Sequence, residues 1–337
     1  MNKPYIAVLA GGYSGEASIS IQSAHEILEN IDKSIFSPKL VRIESESSWW
    51  VDRSDGSRSK IDKSNFTWQD KSGESQSFDL AFIMVHGTPG EDGILQRYFE
   101  NLDIPFTTGS SESVTTTFNK FLTNNTLRKE GLLVAKSIII EKYSELGERL
   151  LNEVLSQISP PCFIKPNNGG SSLGVSKVLR KDDIIPSIQS AFKTGSESVI
   201  IESFLEGREF SIGVIPGDHG MPIAMPITEI ITENEFFDYN AKYEGGSKEI
   251  TPADISDSLS EKIRDNALKA YRILNCRGFV RVDFIVTNEN YPAFLELNSV
   301  PGFTKMSLLP QQLSNAGINV KDLVTRTINM FLAQAQD

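Results

Sequence analysis

The sequence predicts an α/β protein in which a doubly wound parallel sheet is followed by two α+β domains. Apolar strands alternate with helices over the first hundred residues, an order typical of a parallel sheet. After about residue 112, strands and helices follow each other in the mixed order of α+β domains. The 337 residues also exceed what one ordinary core accommodates. We therefore predict an N-terminal domain over residues 1–112, a central domain over 113–206 and a C-terminal domain over 207–337.

The N-terminal domain begins with the strand "YIAVLA", a glycine turn and a helix from about Ser18. Next come the strand "KLVRIE", a polar stretch of hairpins and loop (52–77), the strand "DLAFIMVHG", the helix "GILQRYFENL" and the short strand "IPFTTG". Ligands of parallel sheets collect at the carboxyl ends of the strands. His86 and the turn "GGYSGE" are therefore candidate site residues. Glu91 and Asp92 fit a site or the cap of the following helix equally well.

The central domain contains a loop with the composition of a phosphate cradle. One helix ("TTTFNKFLTNNTLRKEG"), the strand "KSIII", a helix over 143–157 and the strand "CFIKP" precede it, and "VSKVL", "DDIIPSIQSAF" and "SVIIESFL" follow. The loop itself, "KPNNGGSSLGVSK", is rich in glycine, which lets backbone N–H groups converge on an anion. Its lysine precedes the glycines, so the loop does not match the P-loop pattern.

Charge and composition exclude several classes of protein. The net charge of −11, with no basic run longer than two residues, argues against nucleic-acid binding. Cys162 and Cys276 lie in apolar strands, which predicts buried free thiols rather than a disulfide or a metal cluster. The N-terminal apolar run is too short for a signal peptide, and no stretch reaches the ~20 apolar residues of a membrane helix. We therefore expect a cytoplasmic protein that binds no membrane.

The C-terminal domain ends with two strands that carry polar residues inside apolar runs, "VRVDFIV" and "YPAFLELN". Arg281 and Asp283 share one face of the first strand, and Glu296 and Asn298 share one face of the second. If "TNEN" closes a hairpin with an even loop, all four side chains project from one face. Carboxylate and amide oxygens then suit Mg²⁺ shared with phosphates. The alternative is a solvated face with a cross-strand pair between Arg281 and Glu296.

Lysines and glutamates near the glycine loop give a weaker signal. Lys165 ends an apolar strand directly before the loop, where its ammonium can reach a phosphate. Lys120 lies inside a predicted helix and Lys242 in a polar loop, and either fits an ordinary surface lysine. Glu202 closes an apolar strand and Glu209 opens the next, positions that suit the edge of a base and a ribose hydroxyl, or simply charged strand ends.

Taken together, these stretches resemble the D-alanine–D-alanine ligases of the ATP-grasp superfamily. The resemblance runs from about residue 5 to about residue 325. It is carried, in order, by "GGYSGEASIS", "HGTPGEDG", "KPNNGGSSLGVSKV", "EGREFSIGV", "FFDYNAKY", "RVDF" and "LELNSVPGFTKMSLLP". It implies a three-domain ATP-grasp ligase with ATP between the second and third domains, a role in peptidoglycan precursor synthesis, and a homodimer.

The same resemblance implies the cofactor sites. It assigns the ATP contacts to Lys120, Lys165, Glu202, Leu205, Glu209 and Lys242. It assigns two magnesium or manganese ions to Asp283, Glu296 and Asn298, the residues that the hairpin pattern indicates independently.

The implied reaction has two steps. The γ-phosphoryl group moves to the carboxylate of a first D-alanine, and the amine of a second D-alanine then attacks the acyl phosphate. By resemblance, Glu16 binds the first substrate's ammonium with His86 nearby. Arg281 and the backbone N–H of Gly302 would form the oxyanion site.

The second substrate and a mobile lid complete the implied site. By resemblance, Ser307 and the Leu308 backbone bind the second substrate's carboxylate. Ser171 and Tyr243 match a hydroxyl pair that, with Glu16, links the glycine loop to the lid. A closed lid would keep water from the acyl phosphate.

Some positions depart from the family pattern and leave second-substrate preference open. Asn168-Gly169 replaces a common Arg-Glu, and Asn119 replaces an Asp before the lysine. Ala17 and Ser18 replace a basic and an acidic residue, and Met306 replaces a frequent His.

Three alternatives follow from the sequence. One is a sibling ligase that uses D-lactate or D-serine as the second substrate, although Tyr243 stands where a lid histidine usually marks the D-lactate branch. Another is a nicotinamide-dependent oxidoreductase, suggested by the N-terminal strand–glycine–helix unit, which lacks the full glycine fingerprint. The third is a non-catalytic nucleotide-binding relative, which would be expected to lose Arg281 or a metal ligand.

Overall fold

Three sheets with their flanking helices organise the chain. The computed structural model describes residues 3–53, 55–170, 173–217, 220–232 and 247–334. Within that part of the chain, the three sheets contain five, four and six strands, and a separate two-stranded hairpin accompanies the first of them.

The first sheet is parallel at its centre, as the sequence predicts, but it is not parallel throughout. Its elements are β1 (Tyr5–Gly11), α1 (Ala17–Asn30), β2 (Ser37–Ser45), β3 (Ser48–Asp52), β4 (Arg58–Lys60), β7 (Leu80–Ile83) and α2 (Ile94–Asn101), with β5 (Thr67–Gln69) and β6 (Ser75–Ser77) as the separate hairpin. The order is β4-β3-β2-β1-β7, in which β1 pairs in parallel with β2 and β7 while β3 and β4 are antiparallel. The segment "IPFTTG", expected to be a strand, adds only two isolated bridges, between Phe106 and Ala81 and between Thr108 and Gly278.

The second sheet is antiparallel and carries the glycine loop. Its elements are α3 (Ser111–Phe118), α4 (Lys120–Lys129), β8 (Ser137–Glu141), α5 (Glu148–Gln157), β9 (Cys162–Pro166), β10 (Ser176–Val178), a 3₁₀ turn (Lys181–Asp183), α6 (Ile184–Phe192) and β11 (Ser198–Ser203). The strand order is β10-β9-β11-β8. The loop therefore connects two neighbouring antiparallel strands, β9 and β10.

The single helix expected over residues 115–131 is wrong, because the chain breaks at Asn119. Asn119 has an extended backbone (φ −90°, ψ 100°), and its side chain accepts a hydrogen bond from the N–H of Leu122. A short polar side chain that caps a helix competes with continuation of that helix. Lys120 is consequently the first residue of α4 and does not lie in the middle of a longer helix.

The third sheet is antiparallel and holds the polar hairpin. Its elements are β12 (Gly207–Pro216), β13 (Pro222–Ala224), β14 (Thr228–Thr232), β15 (Ser247–Ile250), α7 (Asp257–Ile273), β16 (Val280–Thr287), β17 (Pro292–Asn298), α8 (Leu308–Asn315) and α9 (Val320–Gln334). The order is β15-β14-β12-β16-β17, and β13 pairs with the far end of β12. The end of the chain thus forms two helices where one closing helix was expected.

The four polar residues of the hairpin do share one face. Arg281 pairs with Asn298, and Asp283 pairs with Glu296. Directly opposed residues of two antiparallel strands point to the same side of the sheet. The sequence-based prediction for this face is confirmed.

The reason given for that prediction is wrong. The N–H of Thr287 bonds to the carbonyl of Tyr291, so the turn encloses an odd number of residues instead of an even number. An odd turn alone would set Asp283 opposite Leu295 and send Glu296 to the other face. A register shift between Asp283 and Phe284 inserts one extra residue and restores the shared face.

The first and third sheets share one core. A single buried cluster includes Val8 and Phe82 from the N-terminal sheet together with Phe279, Phe303 and Leu309 from the C-terminal part. The rings of Phe279 and Phe303 stack with their centroids 5.7 Å apart. This packing sets the turns after β1 and β7 against the segment that follows β17. None of the helices in the described ranges has the length and apolar character needed to cross a membrane.

Candidate active site

A cavity of about 570 Å³ opens between the N-terminal turns, the polar hairpin and the segment leading into α8. Its walls hold these residues named from the sequence: Glu16, His86, Arg281, Glu296, Asn298, Gly302, Ser307 and Leu308. The walls also include Gly170 of the glycine loop. The fold therefore brings parts of the chain that are far apart in sequence to a single cleft.

Asp283 is the centre of the hairpin's polar face. Only 4% of this residue is exposed, and its Oδ1 accepts hydrogen bonds from Ser211 Oγ at 2.6 Å and Arg281 Nε at 3.0 Å. Its Oδ2 accepts from Arg281 Nη2 at 2.8 Å and lies 3.4 Å from Asn298 Nδ2. Arg281 Nη2 lies 3.9 Å from Glu296 Oε1. Arg281, Glu296 and Asn298 of this face line the cavity, and Asp283 is buried beside them, so the face is not a solvated outer face, although the Arg281–Glu296 pair of the alternative is present.

The donor set of this face fits a hard divalent cation. Asp283, Glu296 and Asn298 offer carboxylate and amide oxygens, the ligands that Mg²⁺ prefers, usually together with water and phosphate. Across the described residues, no three His, Cys, Asp or Glu side chains gather into a metal cluster, because the third member of this set is an amide. A set of two carboxylates and one amide leaves coordination positions for phosphate oxygens.

His86 connects the N-terminal sheet to the turn after β17. Its Nδ1 lies 2.8 Å from the carbonyl oxygen of Val300, and its Nε2 lies 3.2 Å from Ser23 Oγ. The N–H of Phe303 donates to Ser23 Oγ at 3.0 Å. Burial lowers the pKa of His86, so the ring is neutral, donates from Nδ1 and accepts at Nε2. The arrangement fixes the turn that carries Gly302.

Glu91 belongs to the site, and sequence reasoning did not separate this role from that of a helix cap. Its two carboxylate oxygens accept the backbone N–H groups of Gly87 (2.8 Å) and Val300 (3.1 Å), while Asp92 Oδ1 accepts the N–H of Ile94, the first residue of α2. Burial, and to a smaller extent the nearby charge of Glu16, raises the pKa of Glu91 to about 8. The only signal in the sequence is its place beside a glycine turn after a buried strand.

We expect Glu91 to make stability fall as the pH rises. Its folded pKa of about 8 exceeds its ordinary value of 4.5, so the folded chain holds the proton more tightly between those two pH values. The free energy of unfolding should therefore decrease over this range, by up to about 1.4 kcal/mol per pH unit. Glu91→Gln should flatten this dependence in urea unfolding at pH 5.5, 7 and 8.5. Glu153→Gln, on the exposed side of α5, should not, and an equal slope in all three proteins would contradict the assignment.

The nucleotide-binding residues named from the sequence lie around the start of the glycine loop. Lys165 Nζ and Glu202 Oε2 form a buried ion pair at 2.5 Å, and Asn124 Nδ2 donates to Glu202 Oε1 at 2.7 Å. Lys120 Nζ donates to the carbonyl oxygen of Gly169 at 2.6 Å. Asn124 was not predicted, although its position one turn after Lys120 on α4 places both on one helix face.

The uncommon residues of the glycine loop have structural partners. Asn168 forms a β-bridge with Asn119, the other position where asparagine replaces a charged residue of the family pattern. Gly169 has a φ of +126°, which favours glycine, and in this conformation its carbonyl oxygen accepts the bond from Lys120. A Cβ at Gly170 would lie 3.3 Å from Glu16 Oε2. The first residues of the loop are therefore uncharged and contact the start of α4, and the loop then reaches Glu16 at Gly170.

Of the remaining residues named from the sequence, some lie in the described part of the chain and others do not. Leu205 lies on the segment that joins β11 to β12, Glu209 lies near the start of β12, and both are half-buried. Ser307 precedes α8, and its Oγ accepts the N–H of Thr304 at 3.0 Å. Ser171, Lys242 and Tyr243 lie outside the described residues.

The fold and this cleft define an ATP-grasp ligase. Two family models match the chain, "D-ala D-ala ligase N-terminus" over residues 5–110 and "D-ala D-ala ligase C-terminus" over residues 126–329. A D-alanine–D-alanine ligase from Phocaeicola vulgatus is 43% identical over 97% of this chain and 98% of its own length. The chain belongs to the D-alanine–D-alanine ligase family.

Solved structures are similar to this one over almost the whole chain. The VanG D-Ala:D-Ser ligase from Enterococcus faecalis has a TM-score of 0.86 and 28% identity, over 98% of this chain and 100% of that one. A D-alanine–D-alanine ligase from Bacillus anthracis complexed with ATP has a TM-score of 0.76 and 27% identity, over 99% of each chain. The arrangement of the three sheets is therefore one that occurs in ligases of this family.

Proposed function

We propose that this chain joins two D-alanine molecules into D-alanyl-D-alanine for peptidoglycan synthesis, with ATP converted to ADP and phosphate. One observation carries the proposal. Arg281, Asp283, Glu296 and Asn298 share one face of the hairpin, and Arg281, Glu296 and Asn298 line the same cavity as Glu16. The joining of two amino acids requires one face that binds phosphate and, opposite it, a carboxylate that binds an amino group. The hairpin face and Glu16 are suited to these two tasks.

ATP would bind around the start of the glycine loop. Lys165 and Lys120 supply ammonium groups for the phosphates, and Lys165 is already aligned by the buried carboxylate of Glu202. Glu202, with Leu205 following it, would meet the adenine edge and Glu209 the ribose. The chain's ATP-bound relative from Bacillus anthracis supports this cofactor. Lys242 would add a further charge from the segment outside the described residues.

Asp283, Glu296 and Asn298 would hold magnesium or manganese, as two ions. Ions held there would supply positive charge that stabilises the transferring phosphoryl group. Ser211 holds Asp283 in place through a hydrogen bond of 2.6 Å. This bond orients the carboxylate of Asp283, and the register of the hairpin keeps Glu296 and Asn298 on the same face.

The chain's own residues would orient both substrates. Glu16 receives the ammonium of the first D-alanine, so that the carboxylate of this substrate meets the γ-phosphoryl group of ATP. Arg281 and the N–H of Gly302 stabilise the negative charge that develops on the acyl oxygen when the second amine attacks. Ser307 and Leu308, at the N-terminal end of α8, receive the second substrate's carboxylate.

Exclusion of water would protect the acyl phosphate. Gly170 already lies against the Glu16 carboxylate. Ser171 and Tyr243 would extend this contact from the glycine loop to the lid, with His86 holding the opposite wall. A closed lid separates the intermediate from bulk water.

The decisive experiment measures ADP release by the purified chain with ATP, Mg²⁺ and D-alanine, together with identification of the product by mass spectrometry. We expect ADP formation that depends on D-alanine and yields the dipeptide. D-serine and D-lactate are offered as competing second substrates, because the similarity to a D-Ala:D-Ser ligase supports this test. A folded protein that releases no ADP in response to D-alanine would refute the proposal.

The assembly and location of the enzyme are part of the same proposal. We expect a homodimer in the cytoplasm, where ATP and the free amino acid are available. Light scattering coupled to size-exclusion chromatography measures the mass, and a monomer across the working concentration range would refute the dimer.

A further inference from the structure

Glu249 places a carboxylate at the end of the cavity that receives the second substrate. It lies on β15, where it pairs with Ile230, and its side chain lines the cavity together with Met306 and Ser307. The reaction described above assigns no task to this residue. Its position makes it a candidate for choosing the acceptor.

Gln311 holds this carboxylate against the turn that precedes α8. Its Nε2 donates to Glu249 Oε2 at 2.8 Å and to the carbonyl oxygen of Met306 at 2.9 Å. One amide group therefore ties the strand to the turn. The Glu249 charge stays at the cavity wall beside Ser307, the residue proposed to meet the acceptor's carboxylate.

The other carboxylates that line the cavity serve different places. Glu16 lies against Gly170, and Glu91 accepts two backbone N–H groups from the turns around His86 and Val300. Glu296 lies on the hairpin beside Arg281. Among the described residues that line the cavity, Glu249 is thus the carboxylate on the second-substrate side.

A carboxylate in this position acts differently on two kinds of acceptor. An amino acid enters as a zwitterion, so its ammonium is attracted to Glu249 while its carboxylate is attracted to the N-terminal end of α8. A 2-hydroxy acid brings the same carboxylate without an ammonium. Glu249 repels the carboxylate of that molecule, and no ammonium is present to provide a compensating attraction.

We propose that Glu249 is a specificity-determining residue that favours an amino acid over a 2-hydroxy acid as the second substrate. The inference rests on the proposed ligase function and adds to it the chemical class of the acceptor. The selectivity arises from charge at the cavity wall, and Gln311 keeps that charge in place.

Glu249→Gln tests the proposal because glutamine keeps an oxygen for the bond from Gln311 and removes only the charge. D-alanine and D-lactate compete as second substrates, and mass spectrometry measures dipeptide against depsipeptide. We expect the ratio of kcat/KM for D-alanine to that for D-lactate to fall about fivefold, a typical effect of one partly exposed charge pair. Lys248→Gln, at the exposed neighbouring position on β15, should leave the ratio unchanged.

Gln311→Leu separates selection from positioning. This variant keeps the Glu249 charge but loses the bonds that hold it against the turn, so the ratio should fall by less than in Glu249→Gln. An unchanged ratio of the two kcat/KM values in Glu249→Gln, even if both values fall, would overturn the proposal. Failure of the ligase function itself would look different, because the unmodified chain would then release no ADP with D-alanine alone.

Discussion

Asp283→Asn is expected to remove nearly all ligase turnover while the fold survives. Asparagine keeps an oxygen that accepts the bond from Ser211, but it loses the charge that pairs with Arg281 and that would bind the metal. The groups that stabilise a developing anion, here Arg281 and the bound metal, would lose their positioning, and loss of one such preorganised group typically lowers kcat by about 10²- to 10³-fold, so we expect at least that. ADP release at saturating ATP and Mg²⁺ measures the effect, and circular dichroism measures the fold.

Glu289→Gln is the matched control for this substitution. Glu289 is exposed in the turn of the same hairpin, so its change alters the net charge equally without touching the cavity. Turnover of this control should equal that of the unmodified chain. Comparable turnover in Asp283→Asn would remove the metal and phosphate role from the hairpin face.

Glu202→Leu is expected to cause the largest loss of stability. It leaves the buried ammonium of Lys165 without the carboxylate 2.5 Å away, and it leaves the amide of Asn124 without its acceptor. Removal of one partner of a buried ion pair costs about 3–5 kcal/mol. Thermal unfolding should show a clearly lower Tm, and ATP binding measured by calorimetry should be lost.

A double substitution separates the two effects of Glu202. Lys165→Met together with Glu202→Leu removes both buried charges, which should recover much of the stability but none of the ATP affinity. Glu197→Gln breaks the exposed pair with Lys142 on the same sheet and should cost less than about 1 kcal/mol. Recovery of ATP binding in the double variant would show that the pair has only a structural task.

The sequence was sufficient where local pattern determines the result. Alternation of strands and helices predicted a parallel sheet, which the pairing of β1 with β2 and β7 bears out, and the spacing of two predicted the shared face of Asp283 and Arg281. It was insufficient for the register across the hairpin. Whether Glu296 joins Asp283 depends on the turn and on a one-residue bulge, and neither leaves a sequence pattern as clear as strand alternation.

Partners that meet only in the folded chain could not be predicted either. Ser211 reaches Asp283 from another strand, and Asn124 reaches Glu202 from a helix. Their residue types are ordinary in those elements, so no local pattern marks them. Glu91 was ambiguous for the same reason, because its second N–H partner, Val300, comes from the other end of the chain.

Because of the hydrogen bonds around His86, the active site can be completed only late in the synthesis of the chain. His86 and its acceptor are separated by 214 positions, and Ser23 and its donor by 280. A nascent chain still on the ribosome can form the N-terminal sheet, but this wall of the cleft arises only after the last quarter of the protein has emerged. Chains that end before this segment would therefore have no partial activity, and they would contain no half-formed site that consumes ATP.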